Sequence, residues 1–325
     1  MIEDLPNFET QNVASLQDNM PMIHPATYFK QFLNLIEFMN SKFAVLSLFL
    51  FIAINGFSQT ADPVKDTAQS VSSLTLSLIY STNTVFVGRK DANYKGYLNP
   101  SLTYMNKTGL FVSLSGDYYP ELKTNKFVDY SYEGGYQFTL ASELTGSVYV
   151  SRMHSNSNST KVNAGVGTSF GTYLSWDNDI INFGTGFDYS KGKFNDVTLT
   201  PTISKDITFS FGDILQYDLS IDPTLTFSFG SQNFYRYYLI DRKYVNPTVI
   251  SRINGHISEM KKFQLLDYEF SVPVSLSYNS FTFTATPFYV IPVNQPDFKN
   301  ILPLLPGFKY SDNTFYFQFG LSYQF

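Results

Sequence analysis

The last eleven residues alternate without a break. Phe315, Phe317, Phe319, Leu321, Tyr323 and Phe325 share one parity, and Gln318, Gly320, Ser322 and Gln324 share the other. A period of two belongs to a strand with two different faces, because successive side chains of an extended chain point in opposite directions. The same period recurs upstream. Leu98, Leu102 and Tyr104 alternate with Asn99, Ser101 and Thr103; Val162, Ala164, Val166 and Phe170 with Asn163, Gly165, Gly167 and Ser169; Phe281, Phe283 and Ala285 with Thr282, Thr284 and Thr286.

The second face decides between two classes of alternating protein. In a soluble sandwich it is wet and usually rich in Lys and Glu. Here it carries Gly, Ser, Thr, Asn and an occasional Asp, which suits the inside of a barrel whose other face meets lipid. Composition agrees: 15% of the residues are charged and 18% aromatic, at a mean hydropathy of −0.10. The apolar residues are therefore dispersed along strands rather than gathered into helical membrane spans.

Strands are expected near 73–86, 97–105, 109–118, 128–140, 144–153, 161–175, 180–190, 197–211, 218–230, 263–278, 281–293 and 314–325. The connections between them alternate. Long ones fall near 87–96, 119–127, 154–160, 191–196, 231–262 and 294–313, and short ones near 106–108, 141–143, 176–179, 212–217 and 279–280. Outer-membrane barrels have long extracellular loops, short periplasmic turns and an even strand number. The expected fold is all-β, a transmembrane antiparallel up-and-down β-barrel over residues 73–325, with twelve strands. Ten and fourteen stay open as alternatives. Pro100, Pro201, Pro223, Pro273 and Pro287 fall inside these strands, where each removes a ladder donor. Lys205 would face lipid in a regular strand, which predicts a bulge near Ser204–Asp206.

Residues 43–54 form an apolar run too short to cross a bilayer comfortably as a helix. It has the length of a signal-peptide core, and Gly56-Phe57-Ser58 offers small residues for cleavage, so the mature chain is expected to begin at Gln59. On this reading 39–58 is a signal peptide, 1–38 is an upstream mis-start or disordered segment, and 59–72 is a short periplasmic lead-in.

The terminal run Phe315 to Phe325 resembles the assembly signal of bacterial outer-membrane proteins. That resemblance implies that Phe317, Phe319, Leu321, Tyr323 and Phe325 are read by the barrel-assembly machinery. The leader ending Gly56-Phe57-Ser58-Gln59 is similar to those of exported Bacteroidota proteins, and the mature chain resembles the barrel proteins of that phylum in style. The location implied is the bacterial outer membrane, with outer-membrane lipid as its surroundings.

Several functions are excluded or disfavoured. There is no Cys, hence no disulfide, thiolate metal site, thiol nucleophile or lipoprotein anchor. A net charge of −5 and a pI near 5.2 give no support to nucleic-acid binding. Of three His, His24 precedes the leader, while His154 and His256 fall in long loops without the Asp, Asn or Ser spacing of a rim catalytic site. No enzyme, cofactor or metal is expected. Gly134-Gly135 and Gly165, Gly167, Gly171 sit in strand-like runs and read as small inward residues rather than a phosphate loop. Asn106-Lys107-Thr108 and Asn158-Ser159-Thr160 read as turns.

Asp129, Glu133, Asp188, Asp218, Asp222 and Glu269 fall on the polar parity and are the candidate lumen-lining residues, with no Lys or Arg clearly beside them. Loop 231–262 instead carries Arg236, Arg242, Lys243, Arg252, Lys261 and Lys262. The expected function is a passive channel or porin-like transporter of small solutes, its selectivity biased by the inward carboxylates. The alternative is a surface binding or structural barrel with functional extracellular loops and a closed lumen, loop 294–313 with its apolar stretch 301–307 contributing.

Overall fold

The computed structural model describes residues 71–91, 96–156, 159, 161–212, 217–237, 247, 251, 257–296 and 311–325. The segment 1–38, the leader 39–58 with Ser58, Gln59, His24, His256, Arg242, Lys243, Arg252, Asn158 and the stretch 301–307 lie outside them.

From the N-terminal side the chain passes through β1 (Ser73–Ser81), a small hairpin of β2 (Val85–Phe86) and β3 (Arg89–Lys90), then β4 (Tyr97–Met105), β5 (Leu110–Tyr118), β6 (Phe127–Ala141) and β7 (Leu144–Ser155). There follow β8 (Thr168–Trp176), β9 (Asn182–Lys191), β10 (Asn195–Ser204), β11 (Ile207–Phe211), β12 (Tyr217–Ile221) and β13 (Thr224–Gly230). Two short helices, α1 (Asn233–Tyr237) and α2 (Ile257–Met260), precede β14 (Gln264–Ser271), β15 (Val274–Tyr278), β16 (Phe281–Pro292) and β17 (Thr314–Gln324). β10 with β11, β12 with β13, and β14 with β15 are each one spanning strand interrupted once. Twelve spanning strands therefore result, each antiparallel to its sequence neighbours, and β1 pairs with β17 from Thr75↔Gln324 to Ser81↔Gln318. The sheet closes on itself through β1 and β17, while β11, which runs past the start of β9, pairs with β12 alone.

The interruptions lie on one line across the sheet. Lys205 N donates to Pro223 O, Asp222 N to Pro273 O, and Val272 N to Pro287 O. Three prolines that each lack an N–H are thus gathered into a single seam instead of weakening three separate ladders. Ser204↔Thr224 and Ile207↔Ile221 belong to the same register, so the seam inserts no residue. The bulge expected near Ser204–Asp206 is absent, and Lys205 keeps its outward parity. It is accommodated because its strand runs past the end of β9, where the ammonium donates to Asp179 O in the turn 177–181.

Three further expectations are corrected. Residues 161–167 are not strand: Ala164 N bonds Lys161 O and Val166 N bonds Asn163 O, a run of turns, and β8 begins only at Thr168. Alternating Val, Asn, Ala and Gly imitates a strand, but Val162 and Ala164 are buried within a loop packed against the barrel interior. The connection 191–196 is not long, because Asn195 pairs with Lys191 and leaves only 192–194 between strands. β1 also stops at Ser81, and the residues beyond it turn back as the β2–β3 hairpin rather than extending the strand to 86.

The lateral faces are sharply different. Leu78, Leu102, Val112, Leu114, Val148, Phe170, Phe187, Phe283, Phe319 and Leu321 are exposed large apolar side chains on the outer wall. Thr103–Ser113, Ser115–Ser131, Ser169–Ser190, Ser275–Thr284 and Ser277–Thr282 link hydroxyls across the inner wall. Burial is concentrated at the loop end, where Tyr119, Val128, Val162, Phe234, Met260, Leu266 and Val290 are covered.

Candidate functional site

The site is the barrel interior, which divides into a packed section at the loop end and an open section at the turn end. Two loops fold inward to make the packed section, and each brings a cation that the strand pattern alone does not contain.

The first is the β2–β3 hairpin. Its turn is Val87-Gly88, both at positive φ (46° and 71°), the combination a two-residue hairpin turn needs. Gly88 is also required by space, since a Cβ there would lie 2.8 Å from the Asp267 Cβ. The turn delivers Arg89, which is fully buried. Its Nη2 and Nε donate to Gln232 Oε1 at 2.7 and 3.2 Å, and Nη2 also donates to Val293 O at 3.0 Å. Burial lowers the guanidinium to about 10, opposed by attraction to Tyr235 and Asp267, so it remains charged at neutral pH.

The second loop brings Lys161, 3% exposed, between Asp117 on β5 and Asp129 on β6. Its Nζ lies 2.5 Å from a carboxylate oxygen of each. Asp117 accepts a hydrogen bond; Asp129 is as close but off the bonding direction, so that contact is ionic. The Tyr97 and Tyr119 rings lie 5.8 and 5.7 Å from the ammonium. Burial alone would lower the ammonium's pKa, but the two aspartates outweigh it and the net shift is upward. The two loops are joined where Val162 N donates to Asp91 Oδ2 at 2.9 Å. A third element completes the section: Asp196 accepts from Ser231 Oγ, Asn233 N and Phe234 N, capping α1 from a neighbouring strand.

Below this section the interior opens. A cavity of about 370 Å³ is lined by Thr103, Met105, Phe111, Gln137, Thr145, Gly146, Ser147 and Tyr173. A second, of about 210 Å³, lies against Ser77, Thr282, Thr284, Thr286, Gln318 and Ser322.

The six candidate carboxylates are thereby separated. Asp129 is taken up by Lys161. Glu133 lies between Ser113 and Ser151 in register, below the packed section. Asp188 accepts from Tyr149 Oη at 2.5 Å. Glu269 sits two residues from Asp267, on the same face of β14. Asp218 accepts from Ser210 Oγ at 2.6 Å, and Asp222 lies at the seam. Asp117, Arg89 and Lys161 were not singled out from sequence; Asp117 shares the inward parity of Ser113 and Ser115, but nothing local marks the two loop cations as internal. His154 stacks on Tyr130 on the outer wall at 5.1 Å. Among the described residues no cluster of His, Asp and Glu could hold a metal.

At the C-terminus, Phe317, Phe319 and Leu321 point outward, Tyr323 packs on Phe281 at 4.6 Å, and Phe325 N bonds Leu74 O at 2.9 Å. In lipid every backbone group must be satisfied internally, and a closed sheet with an apolar outer wall does this. The protein is a closed twelve-stranded antiparallel β-barrel with an apolar outer wall.

No family model and no curated protein matches the chain. Among solved structures, it is similar to a NanC porin at 15% identity and a TM-score of 0.42, covering 77% of this chain and 98% of that one. It is similar to a KdgM porin at 12% identity and 0.42, covering 78% and 99%, and to LpxR from Salmonella typhimurium at 10% and 0.41, covering 77% and 99%. Similarity at this level assigns no activity.

Proposed function

We propose that the protein is a passive, porin-like channel for small solutes, with a narrow outer section leading to a wider periplasmic vestibule. The observation that carries this is the interior cavity of about 370 Å³ inside a closed barrel, where Thr103, Gln137, Thr145, Gly146 and Ser147 share the wall with Met105, Phe111 and Tyr173. Even with three large side chains in its wall, this part of the interior is left unfilled, as a barrel packed shut by its side chains would not leave it. Lys161 bridges Asp117 and Asp129, and Arg89 lies near Asp267, so the candidate carboxylates without a cation beside them are Glu133, Asp188, Asp218, Asp222 and Glu269. Like-signed groups in a confined pore add their fields, which favours cations.

A closed-lumen barrel that presents its loops as a binding or structural surface is the second reading, favoured by the complete burial of Arg89 and near-complete burial of Lys161. Single-channel recording of the purified protein in planar bilayers separates the two. The channel reading expects discrete conductance steps and a cation-selective reversal potential under a salt gradient. Absence of steps across the accessible voltage range would favour the closed barrel.

A further inference from the structure

On the outer wall, cations within the strands are confined to one sector. Arg152 on β7 and Lys191 on β9 both have outward parity and are exposed, on the same face as Val150 and Phe170. The register puts them in one row, Arg152↔Thr168↔Lys191, with outward-facing Thr168 of β8 between them. Two strand spacings separate their backbones by roughly 10 Å, within converging reach of two long side chains. Tyr132 stands directly opposite Arg152 on β6. Beyond it His154 stacks on Tyr130 at 5.1 Å and meets Tyr132 at 5.7 Å. The row thus combines a guanidinium, a hydroxyl and an ammonium beside an aromatic shelf.

The row sits towards the loop end of the wall, three residues from the end of β7 and at the last residue of β9. With short turns periplasmic, that end lies at the headgroups of the outer leaflet. Elsewhere the loop end of the wall is aromatic or aliphatic, as at Tyr80, Phe263, Tyr289 and Phe315. Among the described residues the ion pairs belong to Lys161, and no acidic side chain pairs with Arg152 or Lys191. Lys205, the outward cation nearer the turn end, has a protein acceptor in the Asp179 carbonyl. A charge on a lipid-facing strand is costly unless it meets an anion or the interface. Guanidinium and ammonium groups at headgroup depth match the phosphate of an anionic lipid, Arg offering a bidentate fork and Lys a point charge.

We propose that Arg152, Thr168 and Lys191 form a binding row for the phosphate of an outer-leaflet glycolipid of the lipid A class, with Tyr130, Tyr132 and His154 packing against its sugar and upper acyl region. The site is on the outer wall and stands whether or not the lumen conducts.

The test is native mass spectrometry of the full-length barrel released from detergent, with bis-phosphorylated lipid A, its dephosphorylated form and phosphatidylglycerol added in separate arms. Wild type should retain the phosphorylated glycolipid, and the double variant Arg152→Gln/Lys191→Gln should retain at least tenfold less. The dephosphorylated lipid should bind both proteins weakly and alike, and Arg152→Lys should keep part of the retention. A heat-dependent gel shift establishes that each variant is folded. If the double variant does not fold, Lys191→Gln alone decides the matter by the same comparison. Equal retention of phosphorylated glycolipid by wild type and variant would overturn the proposal. So would phosphatidylglycerol held as tightly as the glycolipid through the same two residues.

Discussion

Lys161 Nζ lies 2.5 Å from both Asp117 and Asp129, so a loop residue bridges two carboxylates of the barrel wall from inside. The pair of aspartates belongs to adjacent strands, and the lysine reaches them only because residues 161–167 turn inward instead of continuing β8. Breaking a buried ion pair from one side leaves an uncompensated charge at a cost of roughly 3–5 kcal/mol. Lys161→Met should therefore displace the loop from the interior and raise conductance in planar bilayers. Replacing both aspartates by Asn in that background should partly restore the closed arrangement, since no buried charge is then left unpaired. Unchanged current in Lys161→Met would show that this loop does not narrow the lumen.

Gly88→Ala should loosen the β2–β3 hairpin. The position combines a φ of 71° with a site where a Cβ would press against Asp267. Strain of this kind costs on the order of 1–3 kcal/mol. Limited proteolysis of the intact barrel should cut near Lys90 faster in the variant, while the heat-dependent gel shift stays. Equal cutting would mean that Arg89 holds the hairpin without help from the turn.

Selectivity should depend on the carboxylates that Lys161 and Arg89 leave alone. Glu133→Gln with Asp188→Asn is expected to reduce cation preference, read as a smaller reversal potential under a salt gradient. The effect should persist at 0.1 M salt, where exposed mouth charges are screened beyond about 10 Å. Asp129→Asn should act mainly through loop position, changing conductance more than selectivity. A reversal potential indifferent to Glu133 and Asp188 would remove the wall from the account.

Phe325→Asp should impair assembly. Its backbone N–H completes the closure onto Leu74, and its ring packs edge-on against Tyr323 at 4.6 Å. The expected outcome is a large loss of heat-modifiable protein in the outer-membrane fraction at equal expression. Normal insertion would show that the terminal aromatic is dispensable.

The alternation of β4, β16 and β17 was legible because a lipid-facing wall and a lumen-facing wall impose opposite polarity on successive residues. A two-residue period is a local property and survives without knowledge of any partner strand. Turn chemistry was legible for the same reason, as at Asn279-Ser280, where Asn279 takes a positive φ. The alternation misled at 161–167, where small residues in the right order satisfy a strand pattern but meet no strand on the loop side. The proline seam, too, required the fold: Pro223, Pro273 and Pro287 are far apart in sequence and are harmless only because register aligns them. Sequence by itself determined that this chain forms a closed barrel of two-faced strands, and it marked the carboxylates that fall on their polar parity. Tertiary structure decided which of those carboxylates remain unpaired, because Arg89 and Lys161 reach the interior through loops whose course depends on contacts with Gln232, Asp117 and Asp129, long-range partners that no local pattern encodes.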